Sequence, residues 1–134
     1  MSGFSDVARI HAQLRVDAVA LLRAVDARNA IDTVIAFGRF QRCVEAHLSS
    51  DASAGYRLLL RSNNTAVRHA ASRMLEVRST FERAFDFFVL RWRVAREDAL
   101  LSVAFRDEIE AIVTELMKQL LAEERLLALI ANVA

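Results

Sequence analysis

The sequence predicts an all-α protein. This prediction rests on the amino-acid composition and on the spacing of the apolar residues. Hydrophobic residues make up 54% of the 134 residues and charged residues 26%, which favours a buried core over disorder. With no proline and three glycines, the chain lacks the turn residues of a β-sandwich and the glycine cluster of a phosphate-binding loop. Apolar residues recur at the helical period in four segments. We therefore predict that residues 1–134 form one up-down-up-down four-helix bundle domain.

The first two predicted helices lie in the N-terminal part of the chain. One begins after Ser5, a candidate N-cap, and runs to about Val25. The other begins near Asn29, with Asp32 as a helix-start signal, and weakens over residues 49–55. Their predicted core positions are Val7, His11, Leu14, Ala18, Leu21 and Val25, followed by Ile31, Val34, Phe37, Phe40, Val44, His47 and Asp51.

Two longer helices are predicted after a break at residues 62–65. The segment YRLLL adds one or two helical turns before this break. The third helix runs from Thr65 to about Arg96, and the fourth runs from Asp98 or Ser102 to Asn132, each about 40 Å long. Their predicted core positions are Val67, Ala70, Met74, Val77 or Arg78, Phe81, Phe85, Phe88 and Trp92, followed by Phe105, Ile109, Ile112, Leu116, Gln119 or Leu120, Glu123, Leu127 and Ile130.

Charge and cysteine content exclude several classes of partner and site. A net charge of +1 provides no bulk attraction to nucleic acid. The single cysteine, Cys43, excludes a disulfide framework and a cysteine-rich zinc site, and we expect it to be a buried or half-buried structural residue. The first eleven residues lack a secretory pattern, and no run of about 18 apolar residues occurs. We predict a cytoplasmic protein with neither a nucleic-acid nor a membrane partner.

Five polar residues fall on the predicted core faces: His11, His47, Asp51, Arg78 and Glu123. His47 and Asp51 are four residues apart, so they project from the same face of a helix. A buried carboxylate needs a cation, a metal ion or a hydrogen-bond donor. Imidazole and carboxylate groups that converge from bundle helices suit iron, manganese or zinc. These chemical types make His11, His47, Asp51 and Glu123 candidate metal ligands.

The order of these residues resembles the hemerythrin-like (HHE cation-binding) family. The resemblance rests on His11 near the start, His47-Leu-x-x-Asp51 on the second helix and Glu123-Glu124 on the fourth. HLSSDASAGYRLLLRSNNTAVRHAASRM and FRDEIEAIVTELMKQLLAEERLLAL are similar to the corresponding family segments, and the resemblance covers about residues 7 to 130. It implies a hemerythrin-like four-helix bundle around a carboxylate-bridged di-iron site. Oxygen binding, iron handling, or redox and nitric-oxide sensing are the roles it implies.

The ligand set departs from the family pattern. His11, His47, Asp51 and Glu123 match family ligand positions, but the chain has three histidines, fewer than a dinuclear centre draws. Gln119 and Arg78 stand where further histidines are expected, and His69 is predicted to be an exposed residue. We therefore expect at most one metal ion, iron, manganese or zinc, with open positions for a small diatomic ligand.

A metal-free protein is the alternative, acting as an interaction or regulatory bundle. In that hypothesis the Arg78 guanidinium neutralises Asp51 and Glu123 in place of a metal ion. The aromatic segment FERAFDFFVLRW is then covered by a homodimer interface or by a thicker core. Phosphotransfer is disfavoured because none of the three histidines has both a lysine and a glycine nearby. We do not predict an enzyme, since Cys43 and His47 lack an orienting third group.

Overall fold

The structure is a computed structural model that describes residues 6–49 and 52–133. Its elements are helical and the described residues contain no strand, so the prediction of an all-α protein is confirmed. No described helix combines the length and the apolar character needed to cross a membrane. The helices are α1 (Val7–Asp26), α2 (Ala30–Leu48), α3 (Ala52–Leu58), α4 (Thr65–Trp92) and α5 (Val103–Val133), with 3₁₀ turns at Leu59–Arg61 and Glu97–Leu101.

Three of the long helices begin at capping side chains, because these accept hydrogen bonds from backbone N–H groups that lack a partner in the first turn. Asn29 starts α2 as predicted, and Asn64 and Ser102 start α4 and α5. The bonds run from Asp32 N to Asn29 Oδ1 (2.9 Å), from Val67 N to Asn64 Oδ1 (3.1 Å) and from Phe105 N to Ser102 Oγ (3.1 Å). Asp6 precedes α1 without a side-chain capping bond, and Ser5 lies outside the described residues.

The connection between α1 and α2 reverses the chain within three residues. Arg28 adopts the left-handed conformation with φ 55°. Its N–H donates to the Val25 carbonyl (3.1 Å), and the Asn29 N–H donates to the Ala24 carbonyl (3.3 Å). This is the pair of bonds of a Schellman motif, which satisfies the last carbonyls of a helix. Helix α2 therefore returns along α1.

The four long helices share one hydrophobic core. Helix α1 packs along α2, α4 packs along α5, and α1 also contacts α5. Aromatic rings join α2 to the α4–α5 pair. The ring centroid of Phe37 lies 5.4 Å from that of Phe88 and 5.7 Å from that of Phe105. The Phe105 ring also lies 5.1 Å from Trp92, edge to face. These contacts are those of a helical bundle.

A layer of buried polar side chains divides the apolar interior into two clusters. The larger cluster includes Leu14, Phe40, Phe81 and Leu120, and the smaller one is formed by Val7, Tyr56, Ala71, Met74 and Leu126. On each of three helices a buried polar residue lies between the two clusters along the chain. These residues are His11 between Val7 and Leu14, Arg78 between Met74 and Phe81, and Glu123 between Leu120 and Leu126.

The predicted core face of α2 was wrong at its N-terminal end. Ile31 and Val34 are 66% and 42% exposed, whereas Thr33 and Ala36 are buried. At about 100° per residue, Ile31 lies roughly 120° around the helix from the buried Phe37, so it faces away from the core. Smaller differences occur on α4 and α5, where Ala71 and Leu126 are buried and their predicted neighbours Ala70 and Leu127 are half-buried.

Replacing Phe105 by alanine should destabilise the protein by about 3–5 kcal/mol, because it leaves a cavity where four aromatic residues meet. Urea denaturation measures the change in the free energy of unfolding. Phe87→Ala is the control, since this side chain is 76% exposed and its loss should cost less than about 0.5 kcal/mol. Equal effects of the two substitutions would contradict this description of the core.

Candidate metal centre

His11, His47 and Glu123 converge in the polar layer of the core. They come from α1, α2 and α5, and all three are buried. One potential ligand atom from each lies within 4.8 Å of the others. The two imidazole rings meet edge to face with centroids 5.3 Å apart. The three side chains therefore lie close enough to hold a metal ion.

The distances to Glu123 suit ligands of a single ion. Its Oε1 atom lies 3.0 Å from His11 Nε2 and 3.4 Å from His47 Nε2. Two ligand atoms, each about 2.1 Å from an ion and about 90–110° apart, are separated by about 3.0–3.4 Å. One small ion between these three atoms thus requires little movement of the carboxylate relative to either ring.

Without a metal ion, protein donors surround the Glu123 carboxylate. Oε1 accepts hydrogen bonds from His11 Nε2 (3.0 Å) and Gln119 Nε2 (3.1 Å), and Oε2 accepts one from the Tyr56 hydroxyl. Gln119 Oε1 in turn lies 2.8 Å from His47 Nε2. A carboxylate only accepts hydrogen bonds, so the amide group of Gln119 faces Glu123 and its oxygen faces His47. His47 therefore donates from Nε2.

The network continues from His11 to the protein surface. His11 Nδ1 lies 2.7 Å from Glu124 Oε2, and Arg15 Nη2 donates to both Glu124 oxygens at 2.8 and 3.1 Å. Because both ring nitrogens of His11 face carboxylates, both carry protons and the ring is a cation. Glu124 and Arg15 are 37% and 44% exposed. The series of side-chain contacts from Glu123 to Arg15 therefore leads from the core to solvent.

The pKa values agree with this distribution of charge. Burial would raise the pKa of Glu123, but the His11 hydrogen bond, the nearby His47 and the Tyr56 hydroxyl together lower it to about 2. Burial likewise opposes protonation of His11, yet Glu123 and Glu124 raise its pKa above the ordinary value. The pKa of His47 is lowered, mainly by burial. Glu123 is thus an anion, and the pKa shifts of the two histidines run in opposite directions, towards protonation for His11 and away from it for His47.

The structure brings together three of the four predicted ligands. The fourth, Asp51, lies outside the described residues. Arg78 is buried as its place on the core face predicts, and its guanidinium donates to the Leu48 carbonyl oxygen. Among the described residues, His11 forms an ion pair with Glu123. The predicted neutralisation of Asp51 by Arg78 stays a prediction, because Asp51 lies outside the described residues. His69 is exposed on α4, as predicted.

The roles of Tyr56, Glu124 and Arg15 were not predicted from the sequence. Tyr56 is the single tyrosine and follows a weak helical segment, so periodicity provided no reason to direct it at Glu123. Glu124 belongs to the acidic pair noted above, but adjacent residues on a helix point about 100° apart and only one of them fits the core face. A half-buried carboxylate at the edge of that face still reaches His11.

Cys43 precedes His47 by about one helical turn and is half-buried, as expected. Burial and the nearby Asp17 carboxylate raise the pKa of its thiol to about 11. At neutral pH the sulfur is therefore protonated, whereas the reactive form of cysteine is the thiolate.

No protein-family model, curated protein sequence or solved structure matches this chain. The hemerythrin-like resemblance therefore stays a prediction from the sequence. The geometry of the buried His11–His47–Glu123 cluster is the basis for a functional interpretation.

Glu123→Gln should lower the free energy of unfolding of the metal-free protein by about 3 kcal/mol at neutral pH, from the difference between pKa values of 4.5 and about 2. The native carboxyl has the lower pKa, so its contribution is complete above pH 4.5 and is lost as the pH falls towards 2. Wild type and variant should therefore converge in acid when unfolding is measured with urea between pH 7 and 2.5.

Glu110→Gln is the control for this comparison, because it removes a half-exposed carboxylate of α5 that pairs with Arg106. It should change the stability by less than about 1 kcal/mol at any pH. A difference between wild type and Glu123→Gln that stays constant with pH would contradict an ionised Glu123 in the core.

Proposed function

We propose that this chain is a hemerythrin-like, up-down-up-down four-helix bundle that binds one divalent metal ion through His11, His47 and Glu123. The observation that carries the proposal is the convergence of two imidazoles and one carboxylate in a buried layer. Two histidines and one carboxylate with open positions form a ligand set typical of mononuclear Fe(II) sites, and zinc and manganese bind the same ligand types.

The described network accommodates a metal ion with local changes. The ion would take the place of the proton that His11 Nε2 shares with Glu123 Oε1, and this proton would be released to solvent. His47 would present Nε2 once its ring proton moves to Nδ1, which breaks its hydrogen bond to Gln119 Oε1. The positive charge next to Glu123 is then supplied by the ion in place of the His11 cation. Glu123 keeps its hydrogen bonds from Gln119 and Tyr56.

Glu124 supports the metal-binding interpretation. Histidine ligands usually donate their second ring N–H to a carboxylate, which sets the ring orientation and the tautomer. His11 has this arrangement, because its Nδ1 lies 2.7 Å from Glu124 Oε2 and Arg15 holds Glu124 in turn. The Nε2 atom is thereby directed at Glu123 Oε1.

One ion is proposed rather than the two of an intact hemerythrin-like centre. Gln119 stands where a fourth-helix histidine is expected and is occupied by bonds to His47 and Glu123. Arg78, near the expected third-helix position, adds a permanent positive charge to the layer. An ion with three protein ligands retains positions for a small ligand, so we propose sensing or iron and oxygen handling as the role.

A metal-free interaction protein is the second candidate. It is favoured by the complete set of hydrogen bonds around Glu123, in which His11 supplies the positive charge. Exposed Phe87, Leu90 and Val94 on the C-terminal part of α4 and just after it would then serve a partner or a second copy of the chain. Phe88, next to Phe87, is buried in the core.

Anaerobic loading with Fe(II), and separately with Zn(II) or Mn(II), followed by desalting and elemental analysis, should find close to one ion per chain. His47→Ala should lose that ion, because only two of the three ligands remain. His69→Ala is the matched control and should retain it, since His69 is exposed on α4. Wild-type protein that retains no metal ion would refute the proposal and favour the metal-free candidate, and two ions per chain would refute the single site.

Glu124→Gln should weaken metal binding by about 10–100-fold, because the neutral amide orients His11 less firmly than the carboxylate. A competition titration with a chromophoric chelator measures the dissociation constant. Glu115→Gln on the same helix is the control, since it removes only an ion pair with Lys118. An unchanged dissociation constant in Glu124→Gln would show that Glu124 does not position the ligand.

A further inference from the structure

Tyr56 holds the second oxygen of Glu123. Its hydroxyl donates to Oε2, while the two histidines face Oε1. The two oxygens of the carboxylate therefore have different neighbours: imidazole nitrogens face Oε1, and a phenol hydroxyl faces Oε2. Gln119 Nε2 adds a further donor to Oε1 and fixes the orientation of the group.

The position of the phenol is set by packing. Tyr56 is fully buried in the smaller apolar cluster, with Val7, Met74 and Leu126. Helix α3, which carries it, packs against α4. Because the ring is enclosed by apolar side chains, the hydroxyl has a polar partner in the adjoining layer, and that partner is Glu123.

We propose that Tyr56 is a specificity-determining residue that keeps Glu123 a one-oxygen ligand and so favours ions of low coordination number. The inference rests on the proposed metal site. A chelating carboxylate presents both oxygens to one ion, and the ion would then compete with the phenol hydrogen at Oε2. Larger ions with many oxygen ligands commonly use both carboxylate oxygens, whereas four-coordinate Zn(II) needs only one.

The same contact disfavours a second ion. A carboxylate that bridges two metal ions places one on each oxygen, and here a second ion would have to share Oε2 with the Tyr56 hydroxyl. With Gln119 also donating to Oε1, the lone pairs of Glu123 that remain near the histidines suit a single ion.

The test compares the dissociation constants of Zn(II) and Mn(II) for the full chain and for Tyr56→Phe. The variant frees Oε2, so the preference for Zn(II) over Mn(II) should fall by about tenfold, equivalent to about 1.4 kcal/mol. A merely structural role of the hydroxyl would weaken both metals alike and leave the ratio unchanged. An unchanged ratio would therefore overturn the inference.

Thr33→Val is the matched control, because it also removes a fully buried hydroxyl, one that bonds to the Asn29 carbonyl. Thr33 lies about four helical turns from His47 on α2, so its loss should leave the ratio unchanged. If wild type binds neither ion, the proposed function fails, and this result is distinct from binding with an unaltered ratio in Tyr56→Phe.

X-ray absorption of the Zn(II)-loaded wild type provides a readout that needs no variant. A chelating carboxylate brings its carbon closer to the ion than a one-oxygen carboxylate does. The one-oxygen arrangement is the expected result. A carboxyl carbon at the shorter, chelating distance would overturn the inference even if Tyr56→Phe did not fold.

Discussion

The burial of one carboxylate governs the interior of this protein. Glu123 is 1% exposed, and an unpaired charge at that depth would cost several kcal/mol. Three side chains donate hydrogen bonds to this carboxylate: His11 on α1, Tyr56 on α3 and Gln119 on α5 itself. His47 completes the layer through Gln119. The packing of these helices is thus tied to one charged group.

The polar layer allows one register of the helices, because the apolar clusters on either side hold it in place. Leu14, Phe40 and Leu120 belong to the larger cluster, and Val7 and Met74 to the smaller one. A helix that slid along its neighbour would bring apolar side chains against Glu123 and leave it without donors, at the cost of a buried unsatisfied group. The layer therefore sets the register of the helices as well as the chemistry of the centre.

Most contacts of the polar layer would be kept in the proposed metal-bound state. A proton on His11 Nε2 and a metal ion at that atom both place positive charge beside Glu123 Oε1. Glu124 and Arg15 hold the far side of the His11 ring in either case, and Tyr56 holds the far oxygen of Glu123. Under the proposed function such an arrangement would preorganise His11 and Glu123 as ligands, because the groups that orient them would stay bonded when an ion took the place of the proton.

The sequence by itself determined the helical class, the starts of the second and third long helices, and the polar residues His11, His47, Arg78 and Glu123 on core faces. These follow from local rules, since side-chain caps and a 3.6-residue period are written in neighbouring residues. Only the tertiary structure decided that His11 contacts Glu123, and that Tyr56, Glu124 and Arg15 complete the network. Those partners lie 67 to 113 residues apart along the chain, where no periodicity connects them, and helix packing alone brings them within hydrogen-bonding distance.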